Sequence, residues 1–104
     1  MIIERGTVSD ETRLMLLNLL QDVYGSAVKI SNITVLNQHV DYAALLVSID
    51  HPNLRLAIKL AGRDAPYAYP FDRTAYWHRL VAARTSIFMP EIIAVDVSYH
   101  DYPW

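Results

Sequence analysis

The most informative part of this sequence is residues 42–61, which read YAALLVSIDHPNLRLAIKLA. Large aliphatic residues alternate with small or polar ones on both sides of the tetrapeptide at 50–53, whose residue types are typical of a tight turn. The alternation has the period of a strand with one buried face. It predicts two strands, at about 42–50 and 54–61, that pair as an antiparallel hairpin.

The register predicted for this hairpin sorts its side chains onto two faces. If the turn is centred at 50–53, Leu45 lies opposite Ile58, and Ala44 lies opposite Lys59. One face then carries the large aliphatic residues, and the other carries Ala44, Leu46, Ala57 and Lys59. A lysine is therefore predicted to share a face with small apolar side chains.

A helix is predicted before the hairpin, at about 10–24. Ser9 precedes two acidic residues, and a hydroxyl can cap the free amides of a helix start while carboxylates favour the positive end of the helix dipole. Leucines then recur at helical spacing, and Gly25 suits a helix end.

The remaining elements complete an α+β pattern. A strand is predicted at about 28–36, with a bulge or break between Ile30 and Ile33, where the apolar parity changes. A second helix is predicted at about 71–86 and a last strand at about 92–97. We expect one domain over residues 1–104, with an antiparallel sheet of about four strands and two flanking helices.

Composition excludes several classes of function. The 104 residues carry nine Lys and Arg against eleven Asp and Glu, a formal net charge of −2. Such a balance provides no positive field for nucleic acid or anionic lipid, so neither partner is expected. The apolar stretches are far shorter than the roughly 20 residues that a membrane-spanning helix needs. A start without a secretory signal and a chain without Cys favour the cytoplasm.

Three segments carry a resemblance to a known family. Residues 56–61, LAIKLA, resemble the third strand of the protein-kinase-like fold. Residues 89–96, MPEIIAVD, resemble the passage from helix to strand in aminoglycoside phosphotransferases, and YPW at 102–104 falls where their hinge approaches. Over 28–104 the chain is similar to the amino-terminal, nucleotide-binding lobe of the aminoglycoside phosphotransferase and choline kinase-like family.

The resemblance implies an ATP-binding lobe of a small-molecule kinase. In it Lys59 would bind the α and β phosphates of ATP, and the adenine would lie against Ala57, Ala44 and Leu46. A point charge on a rigid strand holds phosphates without reorganisation, and a small residue leaves room for a flat purine. Magnesium and the small-molecule acceptor would be bound through a carboxyl-terminal catalytic lobe that these residues lack, so no catalytic residue is assigned.

The chain departs from the family pattern at three points. The turn at 37–41 has no Gly, so backbone amides approach phosphates less freely than in a glycine-rich loop. The helix Glu that should pair with the strand Lys aligns near Thr74 or Ala75, and neither is acidic. The catalytic Asp, its nearby Asn and the metal-binding Asp have no counterpart, so we expect no phosphate transfer by this chain alone.

Two further expectations concern other sites and assembly. The four His residues lack the spacing of metal ligands, so no metal site is predicted. A hydrophobic content of 53%, with Tyr99, Tyr102 and Trp104 in the tail, predicts exposed apolar surface and a homodimer of the isolated chain. The alternative to a kinase lobe is a non-catalytic, stand-alone domain that keeps the lobe's shape and dimerises or binds another protein.

Overall fold

A computed structural model describes residues 2–4, 6–39, 42–62 and 71–97. The tail at 98–104, with the three aromatic residues on which the dimer expectation partly rests, lies outside the described residues. The described part has an α+β fold with two antiparallel sheets and two helices. In chain order its elements are β1 (Ile3–Glu4), β2 (Thr7–Val8), α1 (Asp10–Tyr24), β3 (Lys29–His39), β4 (Tyr42–Asp50), β5 (Leu54–Ala61) and α2 (Phe71–Arg84).

The main sheet has three strands in the order β3-β4-β5. Strands β4 and β5 have the bounds predicted from the sequence, and the predicted register is confirmed: Leu45 pairs with Ile58, and Ala44 pairs with Lys59. The turn that joins them includes a cis peptide bond before Pro52. Local alternation and a short turn therefore specified this hairpin completely.

The core lies between α1 and one face of this sheet. From the sheet it receives the alternate residues of β4, among them Leu45 and Val47, which are fully buried. From the helix it receives Leu16 and Leu20, four residues apart and therefore on one side of the helix. Burying large aliphatic side chains is the main source of stability for such a small domain. This packing leaves the opposite face of the sheet directed away from α1.

The amino-terminal segment forms a small hairpin that the sequence did not predict. Strands β1 and β2 pair antiparallel around Gly6, which has a positive φ of 79°. The backbone N–H of Ser9 donates to the carbonyl oxygen of Ile2 at 2.9 Å, and Ile2 is buried in the core cluster. The hairpin therefore ties the start of α1 to the core.

Both ends of α1 use the residues expected from the sequence. The Ser9 side-chain oxygen accepts a hydrogen bond from the Thr12 backbone N–H at 3.2 Å and donates one to the Thr12 hydroxyl at 2.8 Å. At the other end, the N–H of Gly25 donates to the Gln21 carbonyl oxygen at 2.8 Å, with a φ of 106° at the glycine. A positive φ is accessible to Gly because it has no Cβ.

Strand β3 contains the predicted irregularity and one more, and it continues to His39 rather than ending near 36. The register with β4 shifts between Ile30 and Asn32, as the parity change predicted, and again between Val35 and Asn37. At the first shift the Ser31 hydroxyl donates to the carbonyl oxygen of Ser48 at 3.0 Å. Each bulge interrupts the regular hydrogen bonding of the strand pair.

The prediction of a strand at 92–97 was wrong, and with it the sheet of about four strands. Residues 87–97 have no regular secondary structure, and α2 ends at Arg84 rather than 86. This segment contacts α2 instead: the ring Nε2 of His78 lies 2.6 Å from the carbonyl oxygen of Pro90, and Arg79 donates to the carbonyl oxygen of Ile92 at 3.4 Å. A β-branched sequence forms a strand only where a neighbouring strand pairs with it.

Helix α2 differs from α1 in how much of it is buried. Ala75 is its only buried side chain, and no α2 residue belongs to the described core cluster. Tyr76 and Trp77 are 61% and 56% exposed, and their rings contact each other edge to face with centroids 5.5 Å apart. In the described parts of the chain, neither helix has the length and apolar character needed to cross a bilayer.

Candidate functional site

The four residues predicted to contact nucleotide lie together on the face of the sheet that is turned away from α1. The register pairs Ala44 with Lys59 and Leu46 with Ala57, and cross-strand partners point to the same side of a sheet. Ala44 and Leu46 are half-buried, whereas Ala57 and Lys59 are exposed. We refer to this surface of β3, β4 and β5 as the outer face.

Polar residues surround this group on the same face. Arg55 pairs with Ser48 and is exposed, and the register places Thr34 of β3 beside Leu46 and Asn32 beside Ser48. The Asn32 side-chain amide donates to the Thr34 hydroxyl at 3.3 Å. The prediction did not include these residues, although the alternation in β5 places Arg55 on the face of Lys59. The sequence could not place Asn32 and Thr34 on this face, because their pairing with β4 is set only after the first bulge of β3.

The two cations of the outer face have no anionic partner within the described residues. Neither Lys59 nor Arg55 forms an ion pair or side-chain hydrogen bond there. Their α-carbons are four residues apart on one strand, which corresponds to roughly 13 Å at the rise of an extended chain. At that separation the ammonium group and the guanidinium group are each available to a separate anionic group.

The helix position expected to supply an acidic partner for Lys59 does not do so. Ala75 is buried and has no polar side chain, and Thr74 is exposed. A carboxylate near the lysine would hold its ammonium group in one orientation, as it does in the kinase-like family. Because the described residues provide no such restraint, ordering the Lys59 side chain on a ligand costs conformational entropy.

Two cavities lie beside α1. One, of about 220 Å³, is lined by the amino-terminal hairpin, Arg13 and β3. The other, of about 520 Å³, runs along α1 past Leu14 and Leu17 towards Lys29. Neither cavity is lined by any of the four predicted residues.

The described residues offer little for covalent or metal chemistry. They contain no group of three or more His, Cys, Asp or Glu that could hold a metal ion. His51 is exposed in the turn between β4 and β5, and His78 contacts the backbone of the segment after α2. The outer face combines small or apolar side chains with two cations, and its described residues include no nucleophile paired with a base.

No protein-family model, curated protein or solved structure matches this chain. The resemblance to the kinase-like lobe therefore depends on the residues quoted above and on the order of the elements. The observed fold agrees with that order as far as α2 and departs from it at 92–97. The nucleotide site remains a prediction.

Proposed function

We propose that this chain is an ATP-binding lobe of a small-molecule kinase, with the outer face as its nucleotide-binding surface. The observation that carries the proposal is the pairing of Ala44 with Lys59 and of Leu46 with Ala57 on that face. It supports the proposal because two exposed or half-buried alanines leave a shallow, flat area beside a cation that has no ion pair among the described residues. ATP joins a flat purine ring to anionic phosphates, and a flat apolar area beside a cation complements both parts.

In this proposal each residue of the outer face has a defined role. The adenine lies against Ala44, Leu46 and Ala57, and the Lys59 ammonium group contacts the phosphates. Arg55 lies on the same strand and face as Lys59, on the other side of Ala57. It is assigned no contact with the nucleotide and therefore serves as the control cation in the test. Phosphate transfer would need magnesium and acidic groups of a second lobe, so the 104 residues alone bind nucleotide without consuming it.

Binding by this chain alone should be weak. Ala57 and Lys59 are exposed, Lys59 has no acidic neighbour among the described residues to orient it, and the segment at 37–41 has no glycine. We expect a Kd of about 1 mM or weaker, equivalent to roughly −4 kcal/mol of binding free energy. Affinity this low is measured best by NMR titration, in which each backbone amide reports its own surroundings.

The test is an NMR titration of the isotope-labelled chain with ATP, adenosine and tripolyphosphate in parallel. ATP should shift the amides around all four residues, adenosine those around Ala44, Leu46 and Ala57, and tripolyphosphate those around Lys59. Lys59→Ala should remove most of the ATP response, whereas Arg55→Ala, on the same strand and face, should retain it. ATP shifts centred on α1, or shifts unchanged by Lys59→Ala, would contradict the proposal.

A second function, as a non-catalytic module that binds another protein, is favoured by a different observation. Tyr76 and Trp77 are 61% and 56% exposed and contact each other, Phe88 is 93% exposed, and exposed large apolar side chains in contact are typical of interaction sites. One experiment distinguishes the two proposals. If the chain binds no nucleotide but uses these aromatic residues to self-associate or to bind a partner, it has the second function alone.

A further inference from the structure

Strand β5 forms one edge of the main sheet. It pairs with β4 along one side, and no other strand within the described residues pairs with its second side. An exposed edge of this kind presents unpaired backbone N–H and C=O groups. Such groups can hydrogen-bond to a further strand, which is a common mode of protein association.

The two edges of the sheet are not equivalent. At the opposite edge, β3 is interrupted by bulges at two places, and bulges twist an edge away from regular pairing. The β5 edge has eight consecutive pairs with β4, from Tyr42–Ala61 to Ile49–Leu54, without a register shift. A straight, uninterrupted strand is the better template, so β5 is the edge that can accept a neighbour.

The core is also less complete on the β5 side. Val47 and Leu45 of β4 are fully buried, whereas their partners Leu56 and Ile58 on β5 are only half-buried. At the end of the strand, Leu54 is 39% exposed, and its partner Ile49 is 1% exposed. These aliphatic side chains of β5 face the core side and lose part of their possible burial at the edge of the sheet.

We propose that β5 of one copy pairs antiparallel with β5 of a second copy, about a twofold axis at Ile58, which joins two sheets of three strands into one continuous sheet. A twofold axis perpendicular to the sheet places the same surface of both copies at the interface and keeps each face on its own side. The α1 layers of both copies then lie on one side, and both outer faces lie on the other.

Two registers pair the longest stretch of β5 with itself, those with the axis at Ile58 and at Ala57, and the charges of the strand favour the first. With Ile58 at the axis, Leu56 lies opposite Leu60 of the second copy, so aliphatic residues meet on the core side. On the outer side, Lys59 lies opposite Ala57 and Arg55 lies opposite Ala61, so no cation faces a cation directly. An axis at Ala57 would place Arg55 opposite Lys59, and like charges in directly opposed positions destabilise a strand pair.

The dimer does not depend on nucleotide binding. The pairing uses backbone groups at the edge and leaves the outer face of each copy uncovered. Failure of the ATP titration would therefore leave this inference standing, and failure of the dimer would leave the nucleotide proposal standing. A second copy is the occupant that the strand's own pattern fits, because in this register aliphatic residues meet aliphatic residues and each cation lies opposite an alanine.

Disulfide crosslinking tests both the interface and the register, since the chain has no native Cys. Ala57→Cys and Lys59→Cys alter exposed positions, so neither should disturb the core. Opposed residues of an antiparallel pair have α-carbons about 4.5–5.5 Å apart, within the range of a disulfide. In a dimer made of the Ala57→Cys variant alone, the two introduced cysteines would be diagonal neighbours. Their α-carbons would be about 7–8 Å apart, which exceeds the usual span of a disulfide.

We expect a mixture of the two variants, oxidised at micromolar concentration, to form mainly the mixed disulfide dimer of roughly 24 kDa, twice 11.9 kDa. Each variant alone should crosslink slowly, and a control mixture of Ala57→Cys with Arg55→Cys should not crosslink preferentially. Light scattering of the unmodified chain should show a mass that rises towards the dimer with concentration. A monomer at all concentrations, or a dimer in which Ala57→Cys links to itself, would overturn the inference.

Discussion

Ala44 and Lys59 lie directly opposite each other on neighbouring antiparallel strands, on the face of the sheet that α1 does not cover. The methyl group of the alanine leaves the lysine side chain free to lie along the sheet or extend from it. One position further, Leu45 and Ile58 form the equivalent pair on the core side. Successive residues of these two strands thus belong to different faces, one to the proposed site and the next to the core. Substitutions can therefore test the two faces separately.

Neighbouring leucines of β4 should differ sharply in their contribution to stability. Leu45 is fully buried in the core, so Leu45→Ala should lower the free energy of unfolding by about 2–5 kcal/mol through lost burial and a cavity. Leu46 is half-buried on the outer face, so Leu46→Ala should cost less than about 1.5 kcal/mol. Urea denaturation followed by circular dichroism measures both, and equal losses would show that the outer face is also packed.

Filling the outer face should weaken nucleotide binding without weakening the fold. Ala57→Ile places a large β-branched side chain at an exposed strand position, where it should leave the unfolding free energy unchanged or raise it by up to about 1 kcal/mol. In the proposed site the same side chain occupies the space of the purine, so the NMR response to adenosine should fall several-fold while that to tripolyphosphate persists. An undiminished adenosine response would place the base elsewhere.

Removing the cap of α1 should destabilise the whole domain. Ser9→Ala deletes the oxygen that accepts the Thr12 N–H, in a buried position, and should lower the unfolding free energy by about 0.5–2 kcal/mol. Ser26→Ala, at an exposed turn position after the same helix, is the matched control and should change it by less than about 0.5 kcal/mol. Similar effects of the two substitutions would mean that the cap contributes little.

The glycine that ends α1 should tolerate no side chain, for a backbone reason alone. Gly25 has φ 106° and ψ 167°, and a Cβ built there would meet nothing within 4 Å. Gly25→Ala should therefore cost about 1–3 kcal/mol from the strained backbone, with no contribution from a clash. Thermal denaturation should show a lower midpoint for this variant, and an unchanged midpoint would indicate that the turn adopts another conformation.

Most of the secondary structure followed from local patterns. The predicted bounds of α1, β4 and β5 agree with the structure, because a capped helix and a tight hairpin are specified by residues close together in sequence. The small hairpin of β1 and β2 was missed because strands of two residues are too short to show a period. The strand predicted at 92–97 failed because its pattern says nothing about whether a partner strand is present.

For the candidate site, the sequence alone determined that Ala44, Leu46, Ala57 and Lys59 share one face, since alternation and one turn fix the register of a two-stranded hairpin. Only the tertiary structure decided which face is covered by α1 and which residues of β3 join the site, because two bulges reset the parity of that strand. It also decided that Leu56 and Ile58 are less buried than their partners on β4. Burial depends on what lies beside a strand in space, and a strand at the edge of a sheet has the same sequence period as one at its centre.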